Sequence, residues 1–335
     1  MNESDNFLEL LRRDGHIHHP HARLVPLTGG VSSEICIVED GPDPSARYVV
    51  KRALKKLKVK DDWFADVSRN ASEWRYIEFV GGILPGSVPK LRYVSEQGGY
   101  FAMELLSGDF ANWKQLMLQG DGRMDHARMA GRMMSDIHHQ SRGNAELHAR
   151  FDTTANFHQL RMEPYLLTTG QRNPDLEPLF TAEVDRIEST RTALVHGDFS
   201  PKNILINGDR MVLLDCEVAW YGDPVFDAAF LLTHLFLKTL LHPECNGIAL
   251  AFWLTYAPSL PPTESASFES NLVRLLLMLL LARVDGKSPA EYLTASQQQF
   301  VRSFTRKHLP GPPHTLSELC TLWHSEISNT TVSGD

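Results

Sequence analysis

The sequence predicts an α+β fold in two lobes, a β-rich first hundred residues followed by a larger, mainly helical part. Three observations carry this expectation. A chain of 335 residues is long for one compact core. Before residue 107, β-like segments at 31–38, 47–52, 90–94 and 100–106 surround a single helical pattern. Beyond residue 224 the chain turns to apolar stretches of helical length, Val225–Leu241 foremost, as core helices do. The expected layout is a first lobe at 1–102, a hinge at 103–108, a second lobe at 109–326 and a disordered tail at 327–335.

The elements follow from local chemistry. The acidic start MNESDNFLELLRRDG has no apolar signal-like run. His16, His18, His19 and His21 cluster before the first strand, in a spacing that fits no closed zinc pattern. VSSEICIV and RYVVKR form strands joined by the turn-rich EDGPDPSA, and a lysine-rich run follows at 55–60. In the next helix Asn70 and Glu73 have capping-box spacing, Trp74, Ile77 and Val80 form the apolar face, and Gly81-Gly82 is the expected stop. Hydrophobic residues make up 42% and charged residues 22%, and the net charge of −8 disfavours a general nucleic-acid binder. The longest apolar run, Leu275–Ala282, is far short of a bilayer span. Four scattered cysteines fit a reducing compartment. The expectation is a cytoplasmic protein with neither a nucleic-acid nor a membrane partner.

The chemistry concentrates in LVHGDFSPKNILINGDRMVLLDCEVAWYGDPVFD, residues 194–227. Asn207-Gly208-Asp209 is a hairpin turn between Ile204–Ile206 and Met211–Leu214. With Gly208-Asp209 as its loop, Asn203 lies opposite Leu214 and next to Asp215. Asp198 sits just upstream, and Glu217 points the same way as Asp215 if the chain is extended. Converging carboxylates repel one another unless a cation lies among them, and these hard oxygen donors suit Mg²⁺ with substrate phosphates. That is the outline of a phosphoryl-transfer site.

His196-Gly197-Asp198, with Asn203 five residues after the Asp, resembles the catalytic loop of the protein-kinase-like superfamily. The central glycine and the run Gly222-Asp223-Pro224-Val225-Phe226-Asp227 make the chain similar to its aminoglycoside phosphotransferase and choline kinase branch. Asp215-Cys216-Glu217 and the segment from Lys51 through Trp63 and Arg69 to Glu73 resemble methylthioribose kinases, though a single arginine, Arg283, stands where that family has two. The resemblance implies a protein-kinase-like bilobal fold that binds ATP and Mg²⁺ and phosphorylates a hydroxyl of a small molecule. The favoured acceptor is sugar-like, with an aminoglycoside or choline-type acceptor as the alternative. A protein kinase is disfavoured because Gly222 follows Asp215 too closely for a long activation segment. A nucleotide-binding regulator without turnover is disfavoured because all the expected polar residues are present.

By the same resemblance Asp198 is the base, and Asn203, Asp215 and Glu217 hold metal. Lys51 holds the α- and β-phosphates, and Glu73 either pairs with Lys51 or serves the helix cap. Gly30, Ser32 and Ser33 lie in the phosphate-covering loop, and backbone groups near Glu104 and Leu106 bond adenine. Ser200 and Arg283 are further candidate contacts, with a structural salt bridge as the rival role for Arg283. His196, Asp223 and Asp227 are expected to brace the loop, and His234 and Lys238 to snorkel or meet a buried acid.

Overall fold

A computed structural model describes residues 3–27, 33–54 and 69–332. The chain divides into two compact units, residues 1–110 and 111–335.

The first unit starts with α1 (Glu3–Arg13), β1 (Arg23–Pro26), β2 (Ser33–Glu39) and β3 (Tyr48–Ala53). Next come α2 (Arg69–Ile83), β4 (Leu91–Ser95) and β5 (Tyr100–Glu104). The strands form one antiparallel sheet in the order β1-β2-β3-β5-β4. Phe7 and Leu11 of α1 are buried in one cluster with Cys36, Val50 and Tyr100 from the sheet. Asn70 lies inside α2 rather than capping it, because the helix includes Arg69. The helix also continues through Gly81-Gly82 to Ile83. A helical glycine costs only about 1 kcal/mol relative to alanine, and burial of Trp74, Ile77 and Val80 outweighs that.

The second unit opens with β6 (Ala111–Asn112), α3 (Trp113–Leu118), α4 (Met124–Ser141), α5 (Ala145–Arg150) and α6 (Thr154–Phe157). A wide, π-helical stretch, His158–Leu167, leads into α7 (Thr168–Arg172) and α8 (Glu177–Ser189). β7 (Ala193–Val195), β8 (Ile204–Asn207), β9 (Arg210–Leu213) and β10 (Trp220–Gly222) carry the site segment. Then follow α9 (Val225–Thr239), α10 (Ile248–Tyr256), α11 (Ser265–Asp285), α12 (Ala295–His308) and α13 (Leu316–Val332). β8 and β9 turn at Gly208-Asp209, with Asn207 opposite Arg210 and Ile204 opposite Leu213.

The helix that carries the apolar run, α11, is long and apolar enough to cross a membrane by length and composition alone, and residues 275–282 are completely buried in the unit, as in a core helix packed on α9. One expectation needs correction. The expected tail is helical through Val332. Leu316, Leu319 and Trp323 anchor α13 by burial, and the Trp323 indole donates to Thr239 Oγ1 at 2.9 Å.

Candidate active site

The loop between β7 and β8 is held from three sides. Asp227, in the first turn of α9, accepts the backbone N–H groups of His196 at 2.7 Å and Gly197 at 2.9 Å. His196 Nδ1 accepts the Asp198 N–H at 3.0 Å, so its Nε2 carries the proton directed at the Leu214 carbonyl, 3.1 Å away. Burial pushes this imidazole below its ordinary pKa, against the opposing pull of Asp227. Arg161, on the π-helical stretch, donates through Nε to the Gly197 carbonyl and sets Nη2 3.1 Å from Asp198 Oδ2. Gly197 has φ +76°, and a Cβ there would meet the Val218 carbonyl oxygen at 2.8 Å, so only glycine fits. Asp223 is buried against Arg186 Nη1 at 2.6 Å and accepts the Val225 N–H. His196, Asp223 and Asp227 are thus braces.

Asp198 itself is 5% exposed. Burial raises its pKa, but Lys202 Nζ at 2.9 Å and Arg161 outweigh burial and hold the carboxyl below its ordinary value. It is therefore a carboxylate at neutral pH. Ser200 is buried, its Oγ 3.5 Å from Asp198 Oδ1, at the long limit of a hydrogen bond.

Asn203 donates from Nδ2 to the Asp198 carbonyl at 3.0 Å, and its own carbonyl accepts the Leu214 N–H at 2.8 Å. The hairpin register expected from Gly208-Asp209 is the one observed. Asp215 follows with φ 60°, alone among the described non-glycine residues in having a positive φ. The extended Asp215–Glu217 path is therefore wrong: a left-handed residue and a turn at 217–218 replace it. The turn still brings carboxylate oxygens of Asp215 and Glu217 within 4.8 Å of each other. Two hard carboxylates this close fit a small divalent cation such as Mg²⁺.

In the first unit, Lys51 lies on β3 opposite Ile35 and Phe101. Its Nζ donates to Glu73 Oε1 at 2.8 Å and lies 2.7 Å from Oε2, with both residues 2% exposed. Of its two expected roles, Glu73 thus fills the pairing with Lys51. Ser33 is buried at the start of β2. Gly30 and Ser32 lie outside the described residues, as do Trp63 and the 55–60 lysine run. Glu104 ends β5 and donates its N–H to the Lys90 carbonyl at 2.9 Å, so that N–H is engaged within the sheet; Leu106 follows outside the strand. His16 stacks on Tyr93, and the amides of His18 and His19 donate to Asp40, so these histidines serve the strand edge.

Beside Asp198 lies a cavity of about 180 Å³. Arg283, Lys238 and His234 line it, which corrects two expectations. Among the described residues Arg283 meets no carboxylate; its Nη1 donates to the Ser288 carbonyl and to Ser288 Oγ at 2.9 Å. Lys238, 1% exposed, does not snorkel, and among the described residues it meets no buried acid. Its Nζ sits 3.3 Å from the centre of the Tyr292 ring and has no hydrogen-bond partner. Sequence reasoning missed Arg161 and Lys114. No local spacing ties either residue to the 194–227 segment, since Arg161 lies on the π-helical stretch and Lys114 on α3.

An α+β chain with a lysine–glutamate pair in one unit and an HGD-to-DxE segment in the other has the protein-kinase-like fold of a phosphotransferase. A model of the phosphotransferase enzyme family matches residues 23–258, and the chain belongs to that family. Solved structures share the fold at low identity. A microcompartment-associated aminopropanol kinase is 13% identical, with TM-score 0.55 over 90% of this chain and 94% of that one. The ADP-bound aminoglycoside phosphotransferase APH(2'')-Ib is 16% identical, with TM-score 0.52 over 90% and 96%. The amicoumacin kinase hAmiN, in complex with AMP-PNP, Ca²⁺ and Ami, is 15% identical, with TM-score 0.51 over 94% and 98%. No curated protein matches the chain in sequence.

Proposed function

We propose that this phosphotransferase moves the γ-phosphoryl group of ATP, with Mg²⁺, onto a hydroxyl of a small sugar-like metabolite. The observation that carries this reading is Asp198, an ionised and hydrogen-bonded carboxylate on the wall of a small cavity. Neighbours in complex with ADP and with AMP-PNP and Ca²⁺ support a nucleotide and a divalent cation.

In this reading Asn203 and Asp215 hold Mg²⁺, with Glu217 assisting, and Lys51 fixed by Glu73 orients the α- and β-phosphates. Bound there, the metal ion supplies neutralisation of β,γ-phosphate charge. Asp198 orients the acceptor hydroxyl and takes its proton as the acceptor oxygen bonds to the γ-phosphorus. The bond from phosphorus to the bridging oxygen breaks, and ADP leaves with that electron pair. Little pKa tuning is needed, since phosphoryl transfer depends mainly on position and electrostatics.

The test is ADP release with Mg-ATP across a panel of hydroxylated metabolites, run alongside Asp198→Ala. The variant is expected to bind nucleotide and lose transfer. Wild-type turnover in Asp198→Ala removes the base assignment, and silence of the native chain across the panel removes the reading itself.

A further inference from the structure

The cavity beside Asp198 has an uneven charge. Four cations line it: Lys114 from α3, Lys202 from the site loop, Lys238 from α9 and Arg283 from α11. Among the described residues the one acid on its wall besides Asp198 is Glu291, whose side chain is 69% exposed and bonded to Lys114 at 2.9 Å. Asp198 is itself matched by Lys202 and Arg161. That leaves Lys238 and Arg283 without a carboxylate partner among the described residues. They are 1% and 7% exposed. Lys238 Nζ and Arg283 Nε are both buried without hydrogen-bond partners. Isolated buried cations are costly, and proteins that keep them ordinarily supply an anion. Among the described residues the chain supplies none: Lys238 has the Tyr292 ring and Arg283 the Ser288 oxygens.

His234 reports the same field. Burial first, then the positive charges of Arg283, Lys238, Lys202 and Lys114, drive its imidazole well below the ordinary value. Tyr165, buried at the same wall, has its phenol pKa lowered: burial raises it, but Arg283 and Arg161 outweigh that. Both side chains thus sense a positive potential inside a cavity large enough for a small head group.

We propose that this cavity binds an anionic group, a phosphate or carboxylate, carried by the acceptor whose hydroxyl meets Asp198. The inference rests on the kinase reading for the hydroxyl but not for the anion, since the cations and the cavity stand without it. Lys238 and Arg283 are the specificity-determining contacts, with Lys114 adding charge at the rim. The same field repels cationic acceptors, so choline-type and aminoglycoside-type molecules fit this chain poorly.

Calorimetric titration of the full chain, with Mg-ADP present, measures this directly. The probes are inorganic phosphate, gluconate, choline and kanamycin, against wild type, Lys238→Met and Arg283→Gln. Phosphate or gluconate is expected to bind wild type, and each variant to weaken that binding at least tenfold while leaving Mg-ADP binding unchanged. Phosphate binding without gluconate assigns a phosphate ester; the reverse assigns a sugar acid. Absence of binding by both anions, undiminished anion binding in both variants, or tighter binding of choline or kanamycin overturns the proposal. So does a loss of Mg-ADP affinity equal to the loss of anion affinity, which would give the cations to the nucleotide. Lys238→Arg, which keeps charge, checks against misfolding and is expected to retain anion binding. If anions bind as expected but glycerol 3-phosphate, ribose 5-phosphate and gluconate release no ADP from Mg-ATP, the kinase reading fails and the anion site stands.

Discussion

Arg161 binds the same loop at two points, pairing with Asp198 at 3.1 Å while donating to the carbonyl of Gly197. One guanidinium thus fixes both the carboxylate and the glycine that turns the chain toward it. This is a positioning role, because Arg161 acts through Asp198. Arg161→Met is expected to lower kcat by about a hundredfold, the cost of a misplacement near 1 Å, with a smaller change in the nucleotide KM. Arg161→Lys, which restores charge but not the fork, is expected to recover only part of kcat. Steady-state kinetics decide; equal losses in kcat and nucleotide KM would contradict a role confined to the loop.

The Lys51–Glu73 pair is buried on both sides. Removing one partner strands the other charge, which typically costs about 3–5 kcal/mol. Lys51→Ala is expected to lose ATP-dependent turnover and to lower the urea midpoint, and Glu73→Gln to do the same more mildly. A Lys51→Ala chain with unchanged urea midpoint would show the pair to be loose in solution.

Asp215 permits an unusually clean substitution. Asn tolerates left-handed backbone better than other non-glycine residues. Asp215→Asn is expected to keep the melting temperature and lose metal-dependent turnover. Asp215→Val adds backbone strain of about 1–2 kcal/mol and is expected to melt lower as well. Mg²⁺ titration of activity, read beside thermal melts, separates charge from conformation; full Mg²⁺ response in Asp215→Asn would remove that residue from the metal site.

Lys238 gives the pH prediction. Burial, with Lys114 and Arg283, pulls its ammonium down to about 7, while Glu291 pulls weakly the other way. His234 on its own helix and Tyr292 complete its surroundings. The unfolded chain holds the proton up to about 10.5, its ordinary value. Between those values the unfolded state binds more protons, so stability rises with pH there. Lys238→Met is therefore expected to stabilise the unliganded protein by a few kcal/mol below pH 7, the gain shrinking toward pH 10.5. Denaturation at several pH values checks the sign; a gain that grows with pH would refute it.

Much of the loop was legible because its chemistry is local. Asp198, Asn203 and Asp215 are joined by one short hairpin whose Gly208 turn sets the register. Asp227 reads as a brace for the same reason. The Glu217 path was misread because period-two reasoning assumes extended backbone, and Asp215 is left-handed. The capping role weighed for Glu73 uses a local rule, whereas the structure satisfies that carboxylate with Lys51, 22 residues away. The cavity was least legible. Its walls come from residues 114, 165, 198–202, 230–238 and 283–292, and no local spacing connects them.

Helix α9 joins two of these features on one rod. Asp227 anchors the loop at its first turn, and Lys238 faces the cavity eleven residues later, about 16 Å along the axis and nearly on the same face. The helix is buried along almost its whole length, so that span does not stretch. On the reading that this cavity takes the acceptor's anionic group, α9 ties the loop brace Asp227 and the cavity cation Lys238 to one rigid rod, so replacing an outer loop leaves the separation of those two residues unchanged.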